Sequence, residues 1–260
     1  YKEQWGTINF DASVGGNRLS QIASTTQTQT TNLAQPGIFS LNNAASPIDS
    51  FGFRSEKRIN SLYAFVKAGY KKFLYLDITA RNDWSSALAT PFSADNTSFF
   101  YPSVSTSFIL SNIVDLPNAI DFAKIRASYA QVGNDTNPYQ TQGTFISQTN
   151  VNSQPTFSNQ DFIPNQNLRP ELTSSVELGF DIRFLKQRLN LDFTYYNALT
   201  KDQILSLPIG IASGFSQQVV NAGAVRNKGF EVVFNAIPIR TTDFEWSATV
   251  NFATNRAIVE

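Results

Sequence analysis

Strict alternation of apolar and polar residues is the feature of this sequence that most constrains its fold. From residue 176 to residue 184 every second residue is apolar, and the residues between are polar, charged or glycine. A period of two predicts a β-strand whose two faces meet different surroundings. After two turn residues the alternation resumes over residues 189–196, which predicts a β-hairpin with one apolar face.

The same pattern recurs along the whole chain and predicts about nine strands of roughly ten residues each. Strands of this length suit a membrane-spanning barrel, because strands of soluble sheets commonly have about five or six residues. No run of about 18 apolar residues predicts a membrane-spanning helix. A helical turn is expected within residues 112–121. The other strands are predicted around residues 7–14, 59–70, 74–81, 103–110, 124–129, 230–236 and 244–252.

The predicted connections alternate in length, as do the long outer loops and short periplasmic turns of outer-membrane barrels. The long ones are predicted at residues 15–57, 82–99, 133–172 and 200–228, and a moderate one at 111–121. The short ones are predicted at residues 70–72, 185–187 and 238–243. The run of Ser, Thr and Gln over residues 24–31 is predicted to be a mobile, solvated loop.

Aromatic residues gather near both ends of the predicted strands, as in the girdles at membrane interfaces, although filling of an ordinary core is the alternative. Those near the short turns are Tyr70, Phe73, Phe184 and Trp246, and those near the long loops are Trp84, Phe99, Phe100, Tyr101, Tyr195 and Tyr196. The alternating polar residues are predicted to face a wet or plug-filled lumen. They are Asp77, Arg81, Lys124, Arg126, Glu177, Asp181, Arg183, Asp192, Glu231 and Glu245.

Composition excludes several functions. The 260 residues include no Cys, His or Met, so disulfides, thiolate zinc sites and histidine-based catalysis are excluded. The 20 basic and 20 acidic residues balance, which argues against nucleic-acid binding. Paired carboxylates such as Asp181 and Asp192 remain as glycosidase candidates, but they lie on regular strands without an evident pocket. We therefore predict that the protein is not an enzyme and needs no cofactor.

Six short motifs carry a resemblance to a known family. They are RNDWSSAL at 81–88, FFYPSVS at 99–105, KIRASYAQVGND at 124–135, NLRPE at 167–171, YYN with TKD at 195–202, and NKGFE at 227–231. In this order and spacing they closely resemble the SusC/RagA family of TonB-dependent outer-membrane transporters of Bacteroidetes. The likeness extends from about Trp5 to the end of the chain.

The resemblance implies an all-β fold that is part of a large antiparallel transmembrane β-barrel of 22 strands in the bacterial outer membrane. Residues 1–260 would be a partial TonB-dependent receptor barrel domain without signal peptide, TonB box or plug. It also implies import of oligosaccharides or peptides. The implied partners are a SusD-like lipoprotein lid, the TonB–ExbB–ExbD complex acting through the missing N-terminal parts, the rest of the barrel and plug, and outer-membrane lipid.

Seven residues are candidates for a substrate-facing rim or loop: Arg81, Asp83, Trp84, Asn134, Asp135, Tyr139 and Phe215. Residues 81–86 either contact plug or ligand, or form a rim network in which Asp83 and Ser85 bind backbone N–H groups and Trp84 anchors the interface. Residues 133–135 are predicted to form a turn. A calcium site there has only one carboxylate, which is too few.

Loop aromatics have two interpretations, stacking on substrate or packing between loops. They are Phe39, Phe51, Phe53, Phe92, Tyr139, Phe145, Phe157, Phe162 and Phe215.

Two other functions share much of this pattern. A soluble or cell-surface β-rich carbohydrate-binding or adhesin module would show the alternation, and detergent dependence would distinguish it. A passive porin would share the topology without the motifs, and its uptake would not need a proton-motive force.

Overall fold

The computed structural model describes residues 2–260, with the side chains of residues 4, 5, 149 and 150 outside the description. The strands are β1 Lys2–Trp5, β2 Ile8–Gln29, β3 Asp49–Tyr70, β4 Leu74–Ser85, β5 Ser98–Ile109, β6 Ile120–Asn134, β7 Phe145–Val151, β8 Gln154–Asn159, β9 Phe162–Ile163, β10 Glu171–Phe184, β11 Leu189–Lys201, β12 Ile204–Pro208, β13 Gln217–Asn221, β14 Ala224–Arg240 and β15 Glu245–Val259. Short 3₁₀ helices are Leu41–Asn43, Ser86–Leu88, Asp95–Thr97, Leu110–Asn112 and Ile211–Ser213. Within residues 2–260, none of the helices is long and apolar enough to cross a membrane.

One large antiparallel sheet dominates the fold. Its ten strands follow the order β1-β2-β3-β4-β5-β6-β10-β11-β14-β15, so each strand pairs with the next one of the wall. Nine of them have 12 to 22 residues, and β1 has four. The prediction of an all-β antiparallel fold with about nine long strands is confirmed. The strands β7–β9 and β12–β13 form two small sheets within the long connections.

The two faces of the large sheet have opposite chemistry. Phe180 on β10 pairs with Phe193 on β11, which pairs with Val232 on β14. The rings of Phe180 and Phe193 stack with centroids 5.2 Å apart. On the other face Asp181 lies opposite Asp192. Because side chains alternate along a strand, the wall has an apolar face and a polar face.

The strands are inclined to the apolar band. A single row of directly paired residues crosses the sheet from β15 to β2, and its members on the apolar face are Phe252, Val232, Phe193, Phe180, Ile125, Phe108, Leu74, Tyr70 and Ile8. The row lies in the middle of β15 but reaches the last residue of β3, beside a short turn, and the first residue of β2. Such a stagger between neighbouring strands is what tilted barrel strands require.

The predicted long connection over residues 15–57 is wrong. Strands β2 and β3 pair residue by residue from Ile8 opposite Tyr70 to Gln29 opposite Asp49, which leaves only residues 30–48 as the connection. Residues 24–29, predicted to be mobile, belong to β2. Twenty-two residues rise roughly 70 Å along the strand. Above the apolar band both faces of β2 are exposed to water, so this part of the strand has no apolar alternation. Its threonines favour strand structure.

Other boundaries also differ from the prediction. Gly133 and Asn134 belong to β6 rather than to a turn. The last short connection begins later than predicted, because β14 continues to Arg240. The predicted helical turn is the 3₁₀ helix Leu110–Asn112, which only touches the start of its predicted range.

The outer aromatic girdle is smaller than predicted. Phe99 pairs with Asp83, and Tyr101 pairs with Arg81, which places both rings on the polar face. Tyr196 pairs with Glu177 and lies on that face too. Neighbouring residues of a strand point to opposite faces, so adjacent aromatics such as those at 99–101 and 195–196 cannot all face lipid.

Glycines on the polar face make room for tyrosines of the neighbouring strand. A Cβ atom at Gly229 would lie 2.7 Å from the Tyr196 Oη atom and would also overlap the carbonyl oxygen of Thr254. A Cβ atom at Gly15 would lie 2.7 Å from Tyr63. Each tyrosine therefore lies across a neighbouring strand where only glycine leaves the space.

Candidate functional site

A buried ion pair joins the outer ends of β4 and β6 to the middle of β3. The Nζ atom of Lys57 on β3 lies 2.5 Å from Oδ1 of Asp135, which follows β6 directly. The hydroxyl of Ser85, the last residue of β4, donates to the other oxygen of Asp135. The side chains of Lys57 and Asp135 are only 16% and 7% exposed. The interaction therefore fixes the hairpin β2–β3 against the long connection that begins at Asp135.

A second polar network lies beside it on the same face. The Arg81 Nε atom donates to Asp83 Oδ1 at 2.8 Å, and the hydroxyl of Tyr101 donates to Asp83 Oδ2 at 2.6 Å. A guanidinium nitrogen of Arg81 lies 2.9 Å from the Ser61 hydroxyl. Asp83 thus accepts hydrogen bonds from side chains, not from backbone N–H groups as one interpretation expected. Ser85 does accept a backbone N–H, that of Ala87 at 3.2 Å.

Loops above the wall pack around a small apolar cluster. Leu88, Phe99, Leu168 and Val219 are buried together, and they come from three different connections or strand ends. At Gly133 an added Cβ atom would overlap the ring of Phe99. Burial of this cluster holds the loops in a defined arrangement.

A groove of about 800 Å³ opens between the outer end of the hairpin β2–β3 and the connection that follows β6. One wall is made by residues 49–53 of β3 with Gln27 and Gln29 of β2, and the other by residues 138–139 and 144–148 with Gln160 and Phe162. Five aromatic side chains line it: Phe51, Phe53, Tyr139, Phe145 and Phe162.

Tyr139 is held firmly at the wall of this groove. The backbone N–H of Glu56 donates to its hydroxyl at 3.3 Å, and its ring meets that of Phe53 edge-on, with centroids 6.4 Å apart. Its backbone has φ of 66°, in the left-handed region. A ring fixed in this way can stack on a sugar or an apolar side chain without losing conformational freedom.

Four glutamines in the groove were missed by the sequence analysis. Gln27, Gln29, Gln148 and Gln160 add amide donors and acceptors between the rings. The first two were assigned to a mobile loop. The alternation of Thr and Gln over residues 25–29 was the available signal, because it is the pattern of a strand with one Gln-bearing face.

The structure brings together only some of the candidate residues. Arg81, Asp83 and Asp135 lie in neighbouring polar networks, and Tyr139 lines the groove. Trp84 pairs with Asn60 and Ser98 on the opposite, apolar face and is 38% exposed, so it does not face the lumen. This position agrees with the anchoring interpretation.

Two other candidates lie elsewhere. Asn134 donates from its side chain to Glu171 at 2.9 Å. Phe215 lies beside the 3₁₀ helix Ile211–Ser213, and its N–H donates to the Ser213 hydroxyl at 3.3 Å. Neither residue lines the groove.

The carboxylates considered above for glycosidase chemistry or calcium binding accept hydrogen bonds from nearby side chains. Both oxygens of Asp192 accept from Arg126, at 2.9 and 2.5 Å, and Asp181 accepts from Arg183 at 3.2 Å. Asp135 is occupied by Lys57 and Ser85. Within the described residues no group of three or more acidic, His or Cys side chains could hold a metal ion. Asp192 and Asp135 therefore hold neighbouring strands together, whereas Asp181 pairs within its own strand, β10.

The wall with one apolar and one polar face, long outer connections and short turns defines an outer-membrane β-barrel protein. The sequence model of the family "TonB dependent receptor-like, beta-barrel" matches residues 2–258. The chain belongs to this family, and the protein is located in the bacterial outer membrane. It is therefore not a soluble module.

Individual relatives agree with this assignment. TonB-dependent receptor P26 of Formosa agariphila is 28% identical over 96% of this chain, and SusC of Bacteroides thetaiotaomicron is 35% identical over 35% of it. The RagAB peptide transporter shares the fold over the whole chain, with a TM-score of 0.85 and 21% identity. The chain spans 27% of the length of P26 and 29% of the RagAB chain.

Proposed function

We propose that this chain is one stretch of the barrel wall of a TonB-dependent importer that takes up oligosaccharides or peptides. A SusD-like lipoprotein covers the outer mouth, and TonB, ExbB and ExbD supply energy through a plug. The plug and the rest of the barrel come from other parts of the parent polypeptide. Membership of a transporter family supports the proposal, as does the similarity to RagAB, which is described as a peptide transporter.

The groove beside Tyr139 is the observation that carries the proposal. It lies at the outer end of the wall, where a substrate arrives, and it combines fixed rings with amide side chains. Rings bind the apolar faces of sugars or side chains, and amides bind hydroxyls or peptide groups. A groove with these groups suits a neutral or weakly charged oligomer.

The protein is proposed to transport its substrate unchanged. Among the residues that the structure describes, Asp192 is held by Arg126 through both oxygens and Asp181 is paired with Arg183 through one oxygen, and neither carboxylate lines the groove. The Arg81–Asp83–Tyr101 network is closed on itself in the same way. The groups at the outer end of the wall are suited to binding rather than to catalysis.

Purification of the parent transporter from outer membranes in mild detergent tests the proposal. Mass spectrometry of the purified sample is expected to find a lid-type lipoprotein and a bound oligosaccharide or peptide. Uptake of that oligomer by cells is expected to stop when the proton-motive force is dissipated. Uptake that continues without the proton-motive force would show a passive porin instead, and a transporter that purifies without any lipoprotein would contradict the lid.

A further inference from the structure

Basic side chains gather on the apolar-face side of the wall, just beyond its outer edge. The register places Lys201 on β11, Arg226 and Lys228 on β14, and Arg256 on β15 on the same face as Phe230. The hydrogen bond from Arg226 to Asn197, at 3.3 Å, confirms that neighbouring strands share this face. Among the outward positions of residues 197–201, 224–228 and 254–258 there is no Asp or Glu.

The height of this cluster is set by the residues below it. Moving toward the short turns, the next outward side chain on β14 is Phe230, and on β11 Tyr195 follows Asn197. Phe252 lies on the outward face of β15 and packs against Phe230, with ring centroids 5.8 Å apart. Lys228 and Arg256 therefore lie one or two outward positions beyond the apolar band, at the level of lipid headgroups.

Lys228 and Arg256 are directly opposite each other in the ladder between β14 and β15. Directly opposite residues have Cβ atoms roughly 5 Å apart, and like charges there are destabilising. Both residues are exposed, and neither has an ion-pair partner among the described residues. Such a pair of cations is stabilised when an anion lies between them.

The nearby carboxylate, that of Glu260, is paired with Arg226 and not with Lys228 or Arg256. Glu260 accepts from Arg226 Nε at 2.6 Å, and this hydrogen bond holds the pKa of Glu260 below its usual range. Glu260 thus stays ionised and paired, while Lys228 and Arg256 remain available. The motif NKGFE contains three of these features in consecutive residues. Lys228 is one of the basic side chains, Gly229 leaves room for Tyr196, and Phe230 faces lipid.

We propose that Lys228 and Arg256 bind a phosphate group of an anionic glycolipid in the outer leaflet, with Lys201 adding to the local positive charge. The acyl chains of the same lipid would lie along Phe230 and Phe252. Apolar contact below and charge complementarity above together favour a phosphorylated lipid over a free anion. The site is separate from the groove, which lies on the hairpin β2–β3.

The test uses the full transporter purified in detergent and stripped of lipid, with lipopolysaccharide as the added probe. The double variant Lys228→Gln/Arg256→Gln is compared with the wild type by native mass spectrometry. We expect the apparent affinity to fall roughly tenfold or more, since two charge-assisted contacts are lost. The control variant Lys186→Gln/Arg188→Gln loses two charges at a short turn and is expected to bind as the wild type does.

Two further probes identify the ligand. Dephosphorylated lipopolysaccharide is expected to bind as weakly to the wild type as the intact form binds to the double variant. Inorganic phosphate at millimolar concentration is expected to displace little of the glycolipid. Equal binding by the wild type and the double variant would overturn the proposal. Tight binding of the dephosphorylated form, or full displacement by inorganic phosphate, would overturn it as well.

Discussion

Lys57 and Asp135 are 78 residues apart in the chain, yet their charged atoms meet at 2.5 Å where β4 and β6 end against the middle of β3. The contact is the point at which the tall hairpin and the loop over the groove are joined. Lys57 also donates to the carbonyl oxygen of Thr136 at 3.1 Å. The position of the Tyr139 ring, four residues beyond Asp135, depends on this junction.

Replacement of Asp135 by alanine is expected to lower the stability of this outer region by on the order of 2–4 kcal/mol, because it leaves the Lys57 ammonium largely buried without its partner. The expected result is faster cleavage of residues 136–170 by protease added to intact cells. Asp95→Ala, at an exposed position of the loop over residues 86–97, serves as the control and should leave cleavage unchanged. Equal cleavage of both variants would show that the ion pair does not hold the loop.

Replacement of Gly229 by alanine is expected to impair folding of the barrel. The new methyl group would overlap the carbonyl oxygen of Thr254 and the Tyr196 ring, and backbone on a paired strand cannot move away freely. We expect a cost of about 3 kcal/mol. Outer-membrane barrels show a folded band on gels of unheated samples. For the variant this band should be weaker, or it should disappear at a lower heating temperature than for the wild type.

Two variants control the Gly229 experiment. Gly52→Ala lies on β3, where an added Cβ atom meets nothing within 4 Å, and is expected to be neutral. Adding Tyr196→Ala to Gly229→Ala is expected to restore little stability, because the clash with the backbone of β15 remains. Full recovery in the double variant would assign the effect to the tyrosine alone.

Replacement of Phe53 by alanine is expected to weaken uptake of the transported oligomer, since one ring of the groove is lost and Tyr139 loses its edge-on contact. Loss of an aromatic stacking contact commonly costs about 0.5–1.5 kcal/mol, which is roughly 2- to 12-fold in affinity. Uptake of the labelled oligomer at concentrations below saturation measures the effect. Phe92→Ala removes a ring that is 87% exposed outside the groove and should leave uptake unchanged. Similar losses in both variants would exclude a specific role for the groove.

The membrane-spanning part of the wall was predictable from the sequence because lipid and lumen impose opposite chemistry on alternate residues. The strand over residues 176–184 and its partner over 189–196 show this directly, and their predicted pairing is confirmed. The outer halves of β2 and β3 were not predictable in that way. Both faces there are exposed to water, so the physical cause of alternation is missing at residues such as Thr25 and Thr26.

The candidate site was only partly predictable for a different reason. Asp135 and Tyr139 were selected as loop residues, but their partners Lys57 and Phe53 come from a hairpin that was assigned to a loop. Contacts between such distant segments depend on the strand register, which a single sequence does not determine. Trp84 was placed with the rim residues, and the ladder register moves it to the lipid face.

Cysteine scanning of β10 tests most directly whether this chain forms a wall between lipid and lumen. The 260 residues contain no cysteine, so each introduced thiol within them reports on one position. Positions 177, 181 and 183 are expected to react with a charged, water-soluble maleimide in the assembled transporter unless the plug covers them, and to react in a plug-deleted form. Positions 176, 178, 180 and 182 are expected to stay unreactive in both forms and to be labelled by a lipid-soluble reagent. Uniform labelling along the strand, without alternation, would show that β10 does not separate lipid from lumen.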